Sequence, residues 1–295
     1  MKRSLGEKTF NVVNILLVTV LCVIMIYPYL NQLAISFNQG MDSMLGGITI
    51  FPRKFTWENY RTVFTNVNFF NAVLVSVTRV IISVVLSILV VFSAAYGLTR
   101  KNLAYRRGIT LYLMIPAYIS AGVIPVYMLY RYIGLINNYM VYIVPALFSF
   151  YNMIIIRSFL QELPRAIEES ATIDGANDFQ IMIQIAFPIS LPVIATVALW
   201  VAVAAWNDWT TTLMYVTKKG LYTLQYLMMK LIKESEVAQQ MASQSAMSKT
   251  QQTLMPTSES VKSATLIVTT LPIILVYPFL QKYFISGVTL GAVKE

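Results

Sequence analysis

Six long apolar runs dominate this chain: 12–37, 69–98, 109–132, 139–159, 181–205 and 264–284. Crossing a bilayer core takes about 20 residues of helix, and each run is long enough. Lipid offers no hydrogen-bond partners, so a spanning backbone must satisfy its own N–H and C=O groups, as an α-helix does. The runs predict an all-α membrane protein with six transmembrane helices and a single transmembrane domain over residues 1–295. The charge content agrees: 12% of residues are charged, against about 25% in soluble domains. With 57% hydrophobic residues, much of the surface must face lipid.

The net charge of +9 does not imply nucleic acid, because the basic residues lie mostly between apolar runs and no nucleic-acid motif accompanies them. Lys2, Arg3 and Lys8 before the first run resemble a signal-peptide start. That run continues past Tyr27 with no Ala-x-Ala site, so a retained first helix is expected. Arg100, Lys101, Arg106 and Arg107 crowd the second connection, which the positive-inside rule assigns to the cytoplasm together with the N-terminus. Six crossings then place both termini and Leu160–Gln180 inside, with Asn38–Asn68 and Trp206–Lys262 outside. The six lysines of 206–262 oppose this assignment, although long loops count less in the rule. Within 206–262, Leu221–Glu236 predicts a surface helix, and Val237–Ser260 a polar excursion.

Eight of the eleven prolines fall inside the runs: Pro28, Pro116, Pro125, Pro145, Pro188, Pro192, Pro272 and Pro278. Each removes a helix hydrogen bond and favours a kink. Arg79 in the second run is a costly charge. It is expected to be paired or cavity-facing, or near enough to the outer end to reach the interface.

Enzyme chemistry finds little support. There is no histidine, and the one cysteine, Cys22, cannot form a disulfide within the chain. No phosphate-binding Gly loop is present, so the chain is not expected to hydrolyse ATP itself. The acidic residues Glu162, Glu168, Glu169, Asp174 and Asp178 cluster in one connection, where solvated charge is the plain reading.

That connection has an order of its own. Pro164 suits a helix start. Ala166, Ile167, Ser170, Ala171 and Ile173 mark a small or apolar side at helical spacing. Gly175 is placed to end the helix, and Asn177-Asp178 to cap the next. The segment 164–180 is therefore a short amphipathic helix, a turn and the head of the fifth span. It is either a membrane-surface connector or a knob for a cytoplasmic partner's groove.

Glu169-Ser170-Ala171, three residues, Gly175, nine residues and Ile185-Ala186-Phe187-Pro188 resemble the EAA loop of ABC-importer permeases, with Ser170 and Phe187 as departures. Phe55-Thr56-Trp57-Glu58-Asn59-Tyr60, Leu113-Met114-Ile115-Pro116, Trp206-Asn207-Asp208 and the tail Gln281–Lys294 are similar to the carbohydrate importers. Within them the chain resembles the maltose-type inner-membrane subunit, in an oligosaccharide subgroup with a longer loop before the last helix.

The resemblance implies the type I ABC-importer fold in a bacterial cell membrane. It implies a second permease as heterodimer partner, two ATPase domains that carry ATP and Mg, and an extracytoplasmic solute-binding protein. This chain itself is expected to bind no cofactor and no metal. The resemblance gives the coupling role to Ala166, Glu168, Glu169, Ser170, Ala171, Asp174 and Gly175, with glutamate meeting basic groups of the ATPase. It also brings the tail Gly287–Lys294 to the ATPase pair. Sugars are held by aromatic stacking and amide or carboxyl hydrogen bonds. The pathway candidates are Tyr118, Tyr127, Tyr151, Asn152, Trp206, Asn207 and Trp209. A permease for another solute such as a peptide, and a membrane scaffold or receptor without transport, remain the alternatives.

Overall fold

The computed structural model describes residues 5–65, 68–100, 102–244 and 258–292. Among them the chain is helical, with only an isolated antiparallel bridge between Asn38 and Phe55. In order the helices are α1 (Leu5–Ser36), α2 (Gly40–Met44), α3 (Glu58–Thr65), α4 (Phe69–Thr99), α5 (Arg106–Tyr118), α6 (Val123–Tyr132) and α7 (Phe150–Glu162). They continue with α8 (Arg165–Ile173), α9 (Asp178–Gln180), α10 (Phe187–Ile189), α11 (Leu191–Asn207), α12 (Thr210–Tyr215), α13 (Leu224–Gln244) and α14 (Ser258–Ala292).

Among the described residues, three stretches are long and apolar enough to cross a membrane by themselves: Thr9–Ser36, Phe69–Thr99 and Glu259–Val276. The other three expected spans are bent pairs, which bring the total to six. The run 109–132 is not one helix: the chain bends by 114° between α5 and α6. Pro116 weakens the end of α5, and Gly122, with φ of 83°, starts α6. The run 139–159 opens in 3-10 turns, Tyr139–Tyr142 and Val144–Ala146, and becomes α-helical only from Phe150, with a bend of 43°. The run 181–205 starts as a wide π-type stretch, Ile181–Ala186, and bends by 80° around Ser190 between Pro188 and Pro192. Pro28, Pro272 and Pro278 lie inside uninterrupted helices. The expected surface helix 221–236 is α13, which starts later and runs on to Gln244. The last helix extends beyond 264–284 at both ends, so the expected tail is helical to Ala292. Lys2, Arg3, Lys101, residues 245–257 of the outer segment and Lys294 lie outside the described residues.

The chain divides into two compact units. One comprises residues 1–69 and 227–271. In it, the side chains of α1 from Val12 to Tyr29 are all exposed, as a lipid-facing helix requires. The segment after α1 is held by buried amides. Asn59 donates to the Ser36 and Asn38 carbonyls, each at 2.9 Å, and accepts from Ser260 Oγ at 2.8 Å. Asn38 donates to Asp42 at 3.0 Å and accepts from the Lys54 amide at 2.7 Å. That Asn38 amide, helped by Arg53 at 2.9 Å, holds the Asp42 carboxyl below its ordinary range. Phe37, Phe55, Trp57 and Tyr60 cluster beside these bonds in stacked, tilted and edge-on pairs, with centroids 4.8–6.0 Å apart.

The other unit comprises residues 70–226 and 272–295. Its core lies along α4, where Ile88, Val91, Phe92 and Ala95 recur at helical spacing. They pack with Met153, Ile156 and Leu160 of α7, Ile194, Val197 and Val201 of α11, and with Ile181 and Ala186. Ala95 is fully buried, a small residue of the kind that lets membrane helices approach closely.

Candidate functional site

The connection after α7 folds by local rules. Pro164 stands at the N-cap position of α8 without a side-chain capping bond, and the helix ends in a glycine-dependent Schellman turn. The Ala176 amide donates to the Ala171 carbonyl at 3.0 Å, and the Gly175 amide to the Thr172 carbonyl at 3.1 Å. Gly175 has φ of 86°, a conformation that side chains rarely adopt. Ala171 and Ala176 close the turn with an apolar contact to the core. A capping box then starts α9: the Gln180 amide donates to Asn177 Oδ1, and the Asn177 amide to Gln180 Oε1, each at 2.9 Å.

The expected small or apolar side of α8 is divided. Ala171 packs inward, whereas Ala166, Glu169, Ser170, Ile173 and Asp174 are exposed. Ile173 is 86% exposed, a large side chain at the tip of the loop. Glu168 is half-buried and turned onto Arg100 of this chain, with Nη1 to Oε2 at 2.6 Å. Arg100 was expected only as a topology signal, and nothing local in the sequence links it to Glu168.

The second candidate region is a cavity of about 580 Å³ lined by Arg79, Ser149, Tyr151, Asn152, Trp200 and Asp208, among others. Arg79 is buried and pairs with Asp208 through Nη2, while Nη1 donates to the Asp208 carbonyl at 3.0 Å. Its guanidinium lies 4.6 Å over the Tyr142 ring. Arg79 is therefore paired and cavity-lining. Tyr142 is fixed in turn by Thr212 at 2.9 Å and by the Leu221 carbonyl at 2.8 Å. Tyr151 is 64% exposed and lies 5.9 Å from the Trp200 ring. It also lines a second cavity of about 590 Å³ with Tyr112, Pro116 and Phe150.

Of the sequence candidates, only Tyr151 and Asn152 line the cavity beside Arg79. Tyr118 is exposed at the end of α5, and Tyr127 stacks on Tyr215 at 6.1 Å. Trp206 lines an apolar groove with Val77, Leu199 and Pro272. Asn207 donates to the Val203 carbonyl at 3.0 Å, and Trp209 precedes α12. Trp200 was missed, because an aromatic residue inside an apolar run carries no polar marker.

Residues 84–290 match the family described as binding-protein-dependent transport system inner membrane component. The chain belongs to that family. As a member it is a multi-pass membrane component of a transport system that works with a binding protein, and not an enzyme. The protein LplC of Bacillus subtilis (strain 168) is 33% identical over 294 residues, covering 100% of this chain and 98% of the relative. The polygalacturonan/rhamnogalacturonan transport system permease protein YtcP of the same organism is 32% identical, covering 95% of each. The arabinooligosaccharides transport system permease protein AraQ of Halalkalibacterium halodurans is 26% identical, covering 92% of each. A chain of a solved bacterial ABC transporter, involved in import of the acidic polysaccharide alginate, superposes with a TM-score of 0.84 at 24% identity. It covers 96% of this chain and 99% of that one. This likeness establishes the permease fold.

Proposed function

We propose that this chain is one of two different permease subunits of an ATP-driven importer. Together they line the path of an oligosaccharide delivered by a solute-binding protein. Two ATPase domains, which carry ATP and Mg, act from the cytoplasm, where both termini of this chain lie. α8 is the docking knob: Ala166, Glu169, Ser170, Ile173 and Asp174 face the ATPase, and Ala171, Glu168 and Gly175 hold the knob in shape. Tyr151 and Asn152, with Trp200, line the sugar path, since an exposed ring beside an amide suits a pyranose.

The observation that carries the reading is the knob itself: an exposed Ile173 at the tip of a short helix, closed by a Schellman turn that leads into a span. An unpartnered isoleucine beside a carboxylate fits a protein groove. The carbohydrate class is supported by relatives named as permeases for arabino-oligosaccharides, galacto-oligosaccharides and diacetylchitobiose.

The test is uptake of labelled oligosaccharides and labelled peptides in cells with and without the chain. Sugar uptake that depends on the chain supports the reading. Peptide uptake that does so moves it to another solute, and no effect on either leaves the scaffold reading. Reporter fusions at each terminus test the cytoplasmic placement.

A further inference from the structure

Arg100 follows the last residue of α4 and is held from several directions. Its Nη1 donates to Glu168 Oε2 at 2.6 Å, and its Nη2 lies 3.3 Å from Asp178 Oδ1. The guanidinium carbon sits 4.4 Å over the ring of Tyr96, one turn earlier in α4. The Tyr96 hydroxyl donates to the Asp178 carbonyl at 3.3 Å. Glu168 lies within α8, and Asp178 is the first residue of α9, which leads through the π-type stretch into α11. One side chain at the end of α4 thus touches both the knob and the head of the fifth span.

The arrangement is firm on one side and loose on the other. The bond to Glu168 is short and aligned, and the guanidinium is stacked, as the planar fork of arginine permits. The approach to Asp178 is an ion pair without hydrogen-bond alignment, since Nε and Nη2 are buried and lack an aligned acceptor. Five donors with so few acceptors make a poor static clamp. They suit a joint that keeps α8 while letting Asp178 change partners.

We infer that Arg100 is the positioning residue that passes displacement of the α8 knob to α4 as well as to the fifth span. This rests on the importer reading, and it assigns Glu168 to the joint rather than to the docking face. The joint makes two spans respond to one push, so losing it uncouples ATP hydrolysis from transport without preventing docking.

The experiment uses the full complex in proteoliposomes with its binding protein, and measures sugar transported per ATP hydrolysed. The wild-type complex is scored first, and absence of sugar transport there counts against the importer reading and not against the joint. In Arg100→Gln the ATPase still co-purifies and hydrolysis persists, while sugar moved per ATP falls about tenfold, within the range of coupling between sites. Glu168→Gln lowers the same ratio. The double variant is no worse than Arg100→Gln, because both act through one contact. An unchanged ratio in Arg100→Gln, or additive losses in the double variant, overturns the proposal. If Arg100→Gln does not assemble, Glu168→Gln decides: a wild-type ratio there overturns the joint, and a lowered ratio with intact assembly supports it.

Discussion

Gly175 offers the sharpest test of the knob, because structure separates two reasons for having glycine there. Among the described residues, leaving aside its two chain neighbours, a Cβ built on Gly175 would meet nothing within 4 Å, so the structure shows no crowding there. The cost of a side chain is therefore the backbone cost at φ of 86°. An ordinary residue in left-handed backbone costs about 1–2 kcal/mol, and a β-branched one up to about 3 kcal/mol. If the backbone relaxes instead, the bonds from Ala176 to Ala171 and from Gly175 to Thr172 are lost, and α8 no longer ends where it does. Since 1.4 kcal/mol is about tenfold in an equilibrium, Gly175→Ala should leave the turn formed in a reduced fraction of molecules. Gly175→Val should nearly abolish it. Asparagine tolerates this backbone, so Gly175→Asn should retain most function. The assay is initial uptake rate, normalised to the amount of subunit in the membrane. The expected order is wild type, Asn, Ala, Val. If Asn is as damaging as Val while the subunit remains in the membrane, the backbone argument fails. The glycine would then be needed because a partner surface touches it.

Other perturbations address separate parts. Asp208→Asn leaves the buried Arg79 charge unpaired and should cost about 3–5 kcal/mol, read as a lower melting temperature of the purified subunit. A double change to Arg79→Met and Asp208→Asn should be milder than the sum of the singles. Ile173→Asp removes an exposed apolar tip that would contribute about 1.5–3 kcal/mol if buried by a partner, so the ATPase should be lost on purification while the subunit stays folded. The depressed Asp42 carboxyl stabilises the segment after α1 fully above its ordinary value, and this contribution disappears as pH falls below about 4. Hydrogen-exchange protection of 31–65, measured against the intrinsic rate at each pH, should therefore fall on acidification, and Asp42→Asn should remove that pH dependence.

Much of this fold was legible because its strongest determinants are local. Apolar length marked each span, and the Pro164, Gly175 and Asn177 signals delimited the knob because each acts on its own backbone. Kinks were less legible. Pro116, Pro188 and Pro192 accompany breaks, yet Pro28 and Pro272 lie in continuous helices with the same local chemistry. The breaks coincide with Gly122, whose φ is positive, and with the buried Ser190, and a proline alone specifies neither. Long-range pairs were illegible altogether. Arg79 was conspicuous as a costly charge, but Asp208 lies 129 residues away. The pairing of Glu168 with Arg100 was hidden in the same way, because nothing nearby in sequence links the two. The scattered aromatic candidates show the same limit: composition suggested sugar-binding rings, and only three-dimensional packing put Tyr151 beside Trp200.

α1 carries a practical consequence. Its side chains from Val12 to Tyr29 are exposed all round, and the matched family range begins only at residue 84. Such a helix is specified by oiliness and length rather than by interlocking shape, so it should accept wholesale replacement by another apolar segment. It also carries Cys22, the sole thiol of the chain, which is exposed. A thiol-reactive fluorophore would therefore label a single position on an interchangeable helix. Its signal would report what covers that face of α1, the bilayer or a neighbouring subunit.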